Sequence, residues 1–223
     1  MKAPGSAAQR IIGWLVAILV PAALLLTSVR LLLTPAFVAV EYRLPGFPED
    51  SYGMTFERRL EYAPIALDYL LNDEGIDFLG DLRFADGSPL FNARELSHMV
   101  DVKVLTEQVL AVWYGLLVLL IGLGLWAWRA DWLSGYRRML MRGGQITAGL
   151  ILVLLLYVAL SFQQLFVAFH RIFFESDTWL FLFSDTLIRL FPLRFWQDVF
   201  IALGLFTLLG AGLLWWQGRR LDT

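Results

Sequence analysis

The chain has 223 residues, of which 58% are hydrophobic and 17% charged, and it carries a formal net charge of −2 at pH 7. Soluble domains hold about 25% charged residues, so this composition excludes an ordinary soluble domain and points to an integral membrane protein. The absence of cysteine excludes disulfides, thiol nucleophiles and thiolate metal sites, and the charge balance gives no sign of a nucleic-acid partner.

Four apolar runs are long enough to cross hydrocarbon about 30 Å thick, which takes about 20 helical residues. They predict a mainly α membrane protein, a single membrane domain over 1–223. Its four transmembrane helices would carry a small extracytoplasmic cap made of a helix and a short β-hairpin. The first run, about 11–40, follows Lys2 and Arg10 as a signal peptide would. A signal core spans only about 7–15 residues, so this longer run is expected to stay as an anchor. Arg30 interrupts it, within "LLLTSVRLLLTPAF". An arginine in hydrocarbon is costly and faces a partner or water; at ~1.5 Å per residue it also lies far enough from Ile11 to snorkel to the outer interface. Asp185 and Asp101 are both candidate counter-charges.

The segment 41–103 opens on a Pro/Gly-rich elbow, "YRLPGFPEDSYGM". Phe56, Leu60, Ala63, Leu67 and Leu70 then recur at helical spacing, predicting an amphipathic helix interrupted at Pro64. Asp86-Gly87 between apolar segments predicts the hairpin. Asn92 with Glu95 has the form of a capping box and opens a helix near Ala93, which nothing stops before Arg129. That rod contains the second span, about 104–128. The third covers about 146–169 and the fourth about 199–216. Between them, 170–198 is dense in aromatics, among them Phe173, Phe174, Trp179, Phe181, Phe183, Phe191, Phe195 and Trp196. Such a stretch is expected to re-enter the membrane or to lie at its surface rather than to loop freely.

Basic residues set the orientation. The N-terminal tail, the 129–145 connection and the C-terminal tail hold eight Lys or Arg and two acids, whereas 41–103 together with 170–198 hold nine and seventeen. Both termini are therefore expected in the cytoplasm, with the cap and the aromatic loop on the outer face of the cytoplasmic membrane.

The chain has two histidines, and this topology assigns both to that outer interface. His98 stands in "LFNARELSHMVDVK", with Glu95 and either Asp101 or Val102 on its helical face. A neighbouring carboxylate can fix an imidazole's tautomer and raise its basicity, although a solvated juxtamembrane face has the same pattern. His170, in "AFHRIFF", closes the third span, where an interfacial anchor beside Arg171 is the plain alternative. No Walker loop, H-E-x-x-H helix or G-x-S-x-G elbow occurs. No short ligand spacing supports a metal, and no cofactor is expected.

"TSVR" (residues 27–30), the His98 block and "FHRIFF…DTW…SDTLIRLFP…FWQD" together resemble the bacterial lipoprotein intramolecular transacylase family, in the same order along essentially the whole chain. The His98 block, H-M-x-D-V-K, is the most specific part. The stretch "DTWLFLFSDTLI" departs from the pattern in lacking a proline before Asp185. The resemblance implies a membrane acyltransferase whose partners are diacylglyceryl-modified lipoproteins and membrane lipids. One acyl chain would move from the glycerol sn-2 ester to the α-amine of the N-terminal cysteine, giving the lyso-form. By the same resemblance, His98 and His170 are the catalytic residues. Arg30, Glu95, Asp101, Lys103, Trp179 and Asp185 are candidates for substrate binding or electrostatic support, with Arg30 aimed at the oxyanion or a peptide carbonyl. The alternative is a non-enzymatic membrane assembly or lipid-binding protein that uses the cap as a docking surface. It predicts that the imidazoles lie apart, whereas the enzymatic reading brings them within about 10 Å of each other on one cavity.

Overall fold

The structure, a computed structural model, describes residues 6–174 and 177–219. Lys2, Arg220 and Asp222, which enter the charge argument, lie outside the described residues. Helix α1 covers Ala7–Leu32. Leu33 and Thr34 break it, and α2 (Pro35–Glu41) restarts with Thr34 as N-cap and Pro35 in the first turn, where the missing N–H of proline has no helical partner to lose. Helix α3 is Phe56–Tyr69, α4 the single turn Asp77–Gly80, α5 Ala93–Arg129 and α6 Leu133–Phe173. A 3-10 turn at Asp177–Trp179, α7 (Thr186–Leu190) and α8 (Leu193–Arg219) complete the chain. Among the described residues, helices α1, α5, α6 and α8 are the four long and apolar enough to cross a membrane.

Two expectations are corrected. Helix α3 runs through Pro64 without interruption, so the only local loss is the one hydrogen bond that proline cannot donate. The β-hairpin does not form: no strand occurs among the described residues, and only an isolated bridge joins Arg83 to Pro89. Asp86 and Gly87 do make the turn, with Gly87 at φ +85° and Asp86 accepting from the Ser88 N–H at 2.9 Å. Two bonds flank that bridge, from the Phe84 N–H to the Ser88 carbonyl at 2.8 Å and from the Leu90 N–H to the Leu82 carbonyl at 3.0 Å, and no second bridge extends it among the described residues.

The chain divides into two compact units. The first comprises residues 1–31, 110–157 and 201–223. Val16, Val20, Ala127 and Tyr136 form its buried cluster. Two adjacent glycines set its helix spacing. A Cβ on Gly143 would stand 2.6 Å from Val20 Cβ on α1, and one on Gly144 would stand 2.9 Å from the Ala211 carbonyl oxygen on α8. Only glycine admits backbones this close, as is usual in membrane helix packing. Thr207 donates to Ser28 at 2.9 Å and Trp113 Nε1 to Thr27 at 3.0 Å, adding interhelical ties of about 0.6 kcal/mol each. Ile11, Ile18, Val118, Val153 and Leu209 point outward and are well exposed, as a lipid-facing surface requires.

The second unit comprises residues 32–109 and 158–200. Its core draws on Val38 and Tyr42 from α2 and its C-cap, Tyr62, Ala63, Ala66, Leu67 and Tyr69 from α3, Leu79, Leu90, Phe91 and Met99, and Leu187, Leu190 and Phe195 from the aromatic segment. The 41–103 segment thus builds its core with 187–195 rather than alone. Polar ties reinforce this: Tyr42 donates to the Leu190 carbonyl at 2.8 Å, and Arg189 grips Asp50 with two bonds of 3.0 Å, the bidentate geometry that makes arginine–carboxylate pairs strong.

Glu41, 2% exposed, is pushed up to about 7, first by burial and then by its hydrogen bond with Asp198 and that carboxylate's charge, with Arg194 opposing. An acid whose folded pKa is raised weakens the fold as pH climbs from its unfolded value, about 4.3, through about 7. Glu41→Gln removes that titration. The variant is expected to melt several degrees above wild type at pH 8, with the gap closing as pH falls to about 4, as measured by thermal unfolding in detergent.

Candidate active site

His98 lies in the second turn of α5, and His170 in the last turn of α6. Their ring centroids are 6.1 Å apart with the planes inclined by 26°, and each residue is 8% exposed. The two histidines, 72 positions apart in sequence, are therefore stacked neighbours in a buried place.

Aromatic rings enclose them. Phe174 lies 5.0 Å from His98 and 5.6 Å from His170. Phe181 lies 5.4 Å from His98, Phe166 4.2 Å and Phe169 5.6 Å from His170, and Trp179 4.9 Å from His170. Helical spacing explains part of this cage, since Phe166 and Phe174 stand four residues either side of His170 and share its face.

The nitrogens differ in their surroundings. His170 Nδ1 is 2.8 Å from the Phe166 carbonyl oxygen. A carbonyl only accepts, so Nδ1 donates and a neutral His170 carries its lone pair on Nε2. His98 Nδ1 is buried and has no hydrogen-bond partner among the described residues. Among those residues no group of three or more His, Asp or Glu is placed to hold a metal ion.

Glu95, 1% exposed, spends its carboxylate on backbone. It accepts from the Asn92 N–H at 2.7 Å while Asn92 Oδ1 accepts from the Glu95 N–H at 3.1 Å, completing the capping box. Its other oxygen accepts from the Leu187 N–H at 2.6 Å, at the start of α7. Asp101, one turn beyond His98, accepts from the Thr178 hydroxyl at 3.1 Å. Asp185 accepts from Asn92 Nδ2 at 3.1 Å and from the Leu182 N–H at 2.8 Å. Lys103 Nζ donates to the Glu74 carbonyl at 2.7 Å and to Asn72 Oδ1 at 3.3 Å, and lies 4.3 Å over the Tyr69 ring. Those contacts pin the end of α3 to α5. Arg30, in the last turn of α1, belongs to the other unit and makes no ion pair among the described residues.

A family model described as lipoprotein intramolecular transacylase Lit matches residues 14–196. The chain belongs to that transacylase family. An uncharacterized protein of Aquifex aeolicus (strain VF5) is 30% identical over 197 residues, covering 87% of this chain and 88% of its own. The solved lipoprotein intramolecular transacylase of Bacillus cereus shares the fold at 20% identity, with a TM-score of 0.68 and 96% of both chains covered. A histidine-to-arginine variant of it matches at 21% identity, TM-score 0.74, over 96% of this chain and 92% of that one.

The part matched to the transacylase family contains both histidines and all six supporting candidates. Of those six, Trp179 touches His170 and Asp101 shares the face of His98, while the polar groups of Glu95, Lys103 and Asp185 fasten the surrounding segments. Sequence reasoning did not single out Thr178 as the partner of Asp101, nor Phe166 and Phe174 as the walls of the histidine pair. The four-residue spacing about His170 was the available signal. Phe173 and Phe183, counted with the aromatic loop, are instead exposed.

Proposed function

We propose that this protein is a membrane acyltransferase that moves one acyl chain within a single lipoprotein. The chain would pass from the sn-2 oxygen of the diacylglyceryl group to the α-amine of the N-terminal cysteine. The observation that carries this reading is the buried pair of imidazoles 6.1 Å apart inside a wall of aromatic rings.

Aminolysis of an ester needs a proton acceptor for the attacking amine and a proton donor for the departing alkoxide. The amine nitrogen bonds to the ester carbonyl carbon, the carbon–oxygen bond to glycerol breaks, and the proton released by nitrogen is balanced by the one the alkoxide receives. The two imidazoles between them supply both functions. His170 offers Nε2 as an acceptor because Phe166 holds its Nδ1–H. His98 brings an Nδ1 with no partner among the described residues, and a buried polar atom without a partner costs about 1–3 kcal/mol, which a substrate group bonded there recovers. Because ester and amine share one molecule, proximity supplies much of the rate and no acyl-enzyme is needed. Phe166, Phe174, Phe181 and Trp179 keep water from hydrolysing the ester. The charge asymmetry of the connecting segments supports cytoplasmic termini, with the histidine pair at the outer leaflet of the cytoplasmic membrane.

Expression in a host that accumulates diacylglyceryl lipoproteins tests this. Mass spectrometry of a reporter's N-terminal peptide is expected to show an amide-linked acyl chain and one acyl chain fewer on glycerol. An unchanged reporter, under conditions where another family member converts it, rejects the reading.

A further inference from the structure

The segment whose Trp179 and Phe181 pack on the histidine pair also lines an open surface groove of about 320 Å³, together with Arg94. Its walls alternate with the site. Trp179 packs on His170 and Phe181 on His98, while Thr178 and Leu180, the residues between and before them, face the groove. Arg94 Nη1 donates to the Leu180 carbonyl at 3.0 Å, which fixes the guanidinium along the groove and leaves the rest of its five-donor fork to face outward. Thr178 also donates to Asp101, on the face of α5 that carries His98. The groove is therefore lined by residues that alternate with those packed on the two imidazoles, and among the described residues its lining holds one cation and one anion.

Resting on the transacylase reading above, we infer that this groove receives the peptide that follows the acylated cysteine. Arg94 and Asp177 face the side chain directly after that cysteine and bias selection by its charge. The chemistry demands such an exit. The cysteine nitrogen and the glycerol ester must both reach the imidazoles, the acyl chains belong in hydrocarbon, and the polypeptide must leave through a polar opening. Lining residues of this groove neighbour Trp179 and Phe181 in the chain and present a charge of each sign. Arg94 attracts an acidic side chain and repels a basic one, and Asp177 does the reverse.

The test uses purified full-length protein and a mixture of three diacylglyceryl lipopeptides that differ only in having Asp, Ser or Lys after the cysteine. Conversion of each to the amide is read by mass spectrometry. Exchanging attraction for repulsion at a solvent-screened pair shifts selectivity by about three- to tenfold. Arg94→Glu is expected to lower the Asp-to-Lys conversion ratio by that factor, and Asp177→Lys to raise it. The Ser peptide reports any general loss, so a poorly folded variant depresses all three without moving the ratio. If both variants unfold near the wild-type temperature and yet convert the peptides in the wild-type ratio, or depress all three alike as would happen were the groove to hold a lipid headgroup, the groove assignment fails while the transacylase reading stands. If wild type converts none, the transacylase reading fails and takes this one with it.

Discussion

Replacing His98 or His170 with alanine is expected to lower acyl transfer by about two to four orders of magnitude, the range general acid–base groups contribute. The rings are buried and packed against Phe174, Phe181, Phe166 and Trp179, so alanine also opens a cavity. His98→Phe and His170→Phe keep a ring in place and remove only the nitrogens. Both are expected to unfold near the wild-type temperature and still fail to transfer. Because the two rings serve one proton circuit, the double replacement is expected to cost little more than either single one, as groups acting as a unit do. Full conversion by both phenylalanine variants is the result that removes the imidazoles from the chemistry.

The second large effect is expected at Glu95. Its carboxylate accepts from two backbone N–H groups belonging to distant parts of the chain, Asn92 at 2.7 Å and Leu187 at 2.6 Å, in a place 1% exposed. Glu95→Ala leaves both donors buried without an acceptor and should cost about 2–5 kcal/mol of stability. It also cuts the tie between the first turn of α5, which carries His98, and the start of α7. Hydrogen exchange at the amides of Leu187 and Ile188 is expected to accelerate, and activity to fall with it. Glu95→Gln keeps one strong acceptor and should lose roughly half as much stability. If Glu95→Ala instead keeps stability and amide protection while activity vanishes, the carboxylate acts on His98 directly, as its place one turn before that histidine in sequence allows.

That contrast shows how far the residues alone could be read. The rod from Ala93 to Arg129 and the capping box that opens it follow from local pattern, because a helix is specified by neighbours three and four positions apart. The spans follow for the same reason, and so does the co-location of two histidines at the ends of two spans. What local pattern does not contain is the choice among long-range partners. Glu95 is both a capping-box acid and a helical neighbour of His98, and the Leu187 N–H that its other oxygen receives lies 92 residues away. The Arg189–Asp50 clasp bridges 139 residues. At Asp86-Gly87 the turn forms but the pairing stops at a single bridge between Arg83 and Pro89, because a turn signal specifies the reversal and not how far the two arms pair. The break inside α6, at Ser161 with φ −152° and ψ 45°, has no proline or glycine at that position to announce it.

The most direct measurement asks whether the acyl chain stays within its own molecule. Two lipopeptides are mixed with the purified protein, one with an isotope-labelled sn-2 acyl chain on an ordinary peptide, the other with an ordinary acyl chain on an isotope-labelled peptide. Mass spectrometry of the amide products is expected to find each acyl chain on the peptide it began with, and no such product with His98→Phe. Acyl chains scrambled between the two peptides would contradict intramolecular transfer, and the absence of any amide with the wild-type protein would contradict acyl transfer altogether.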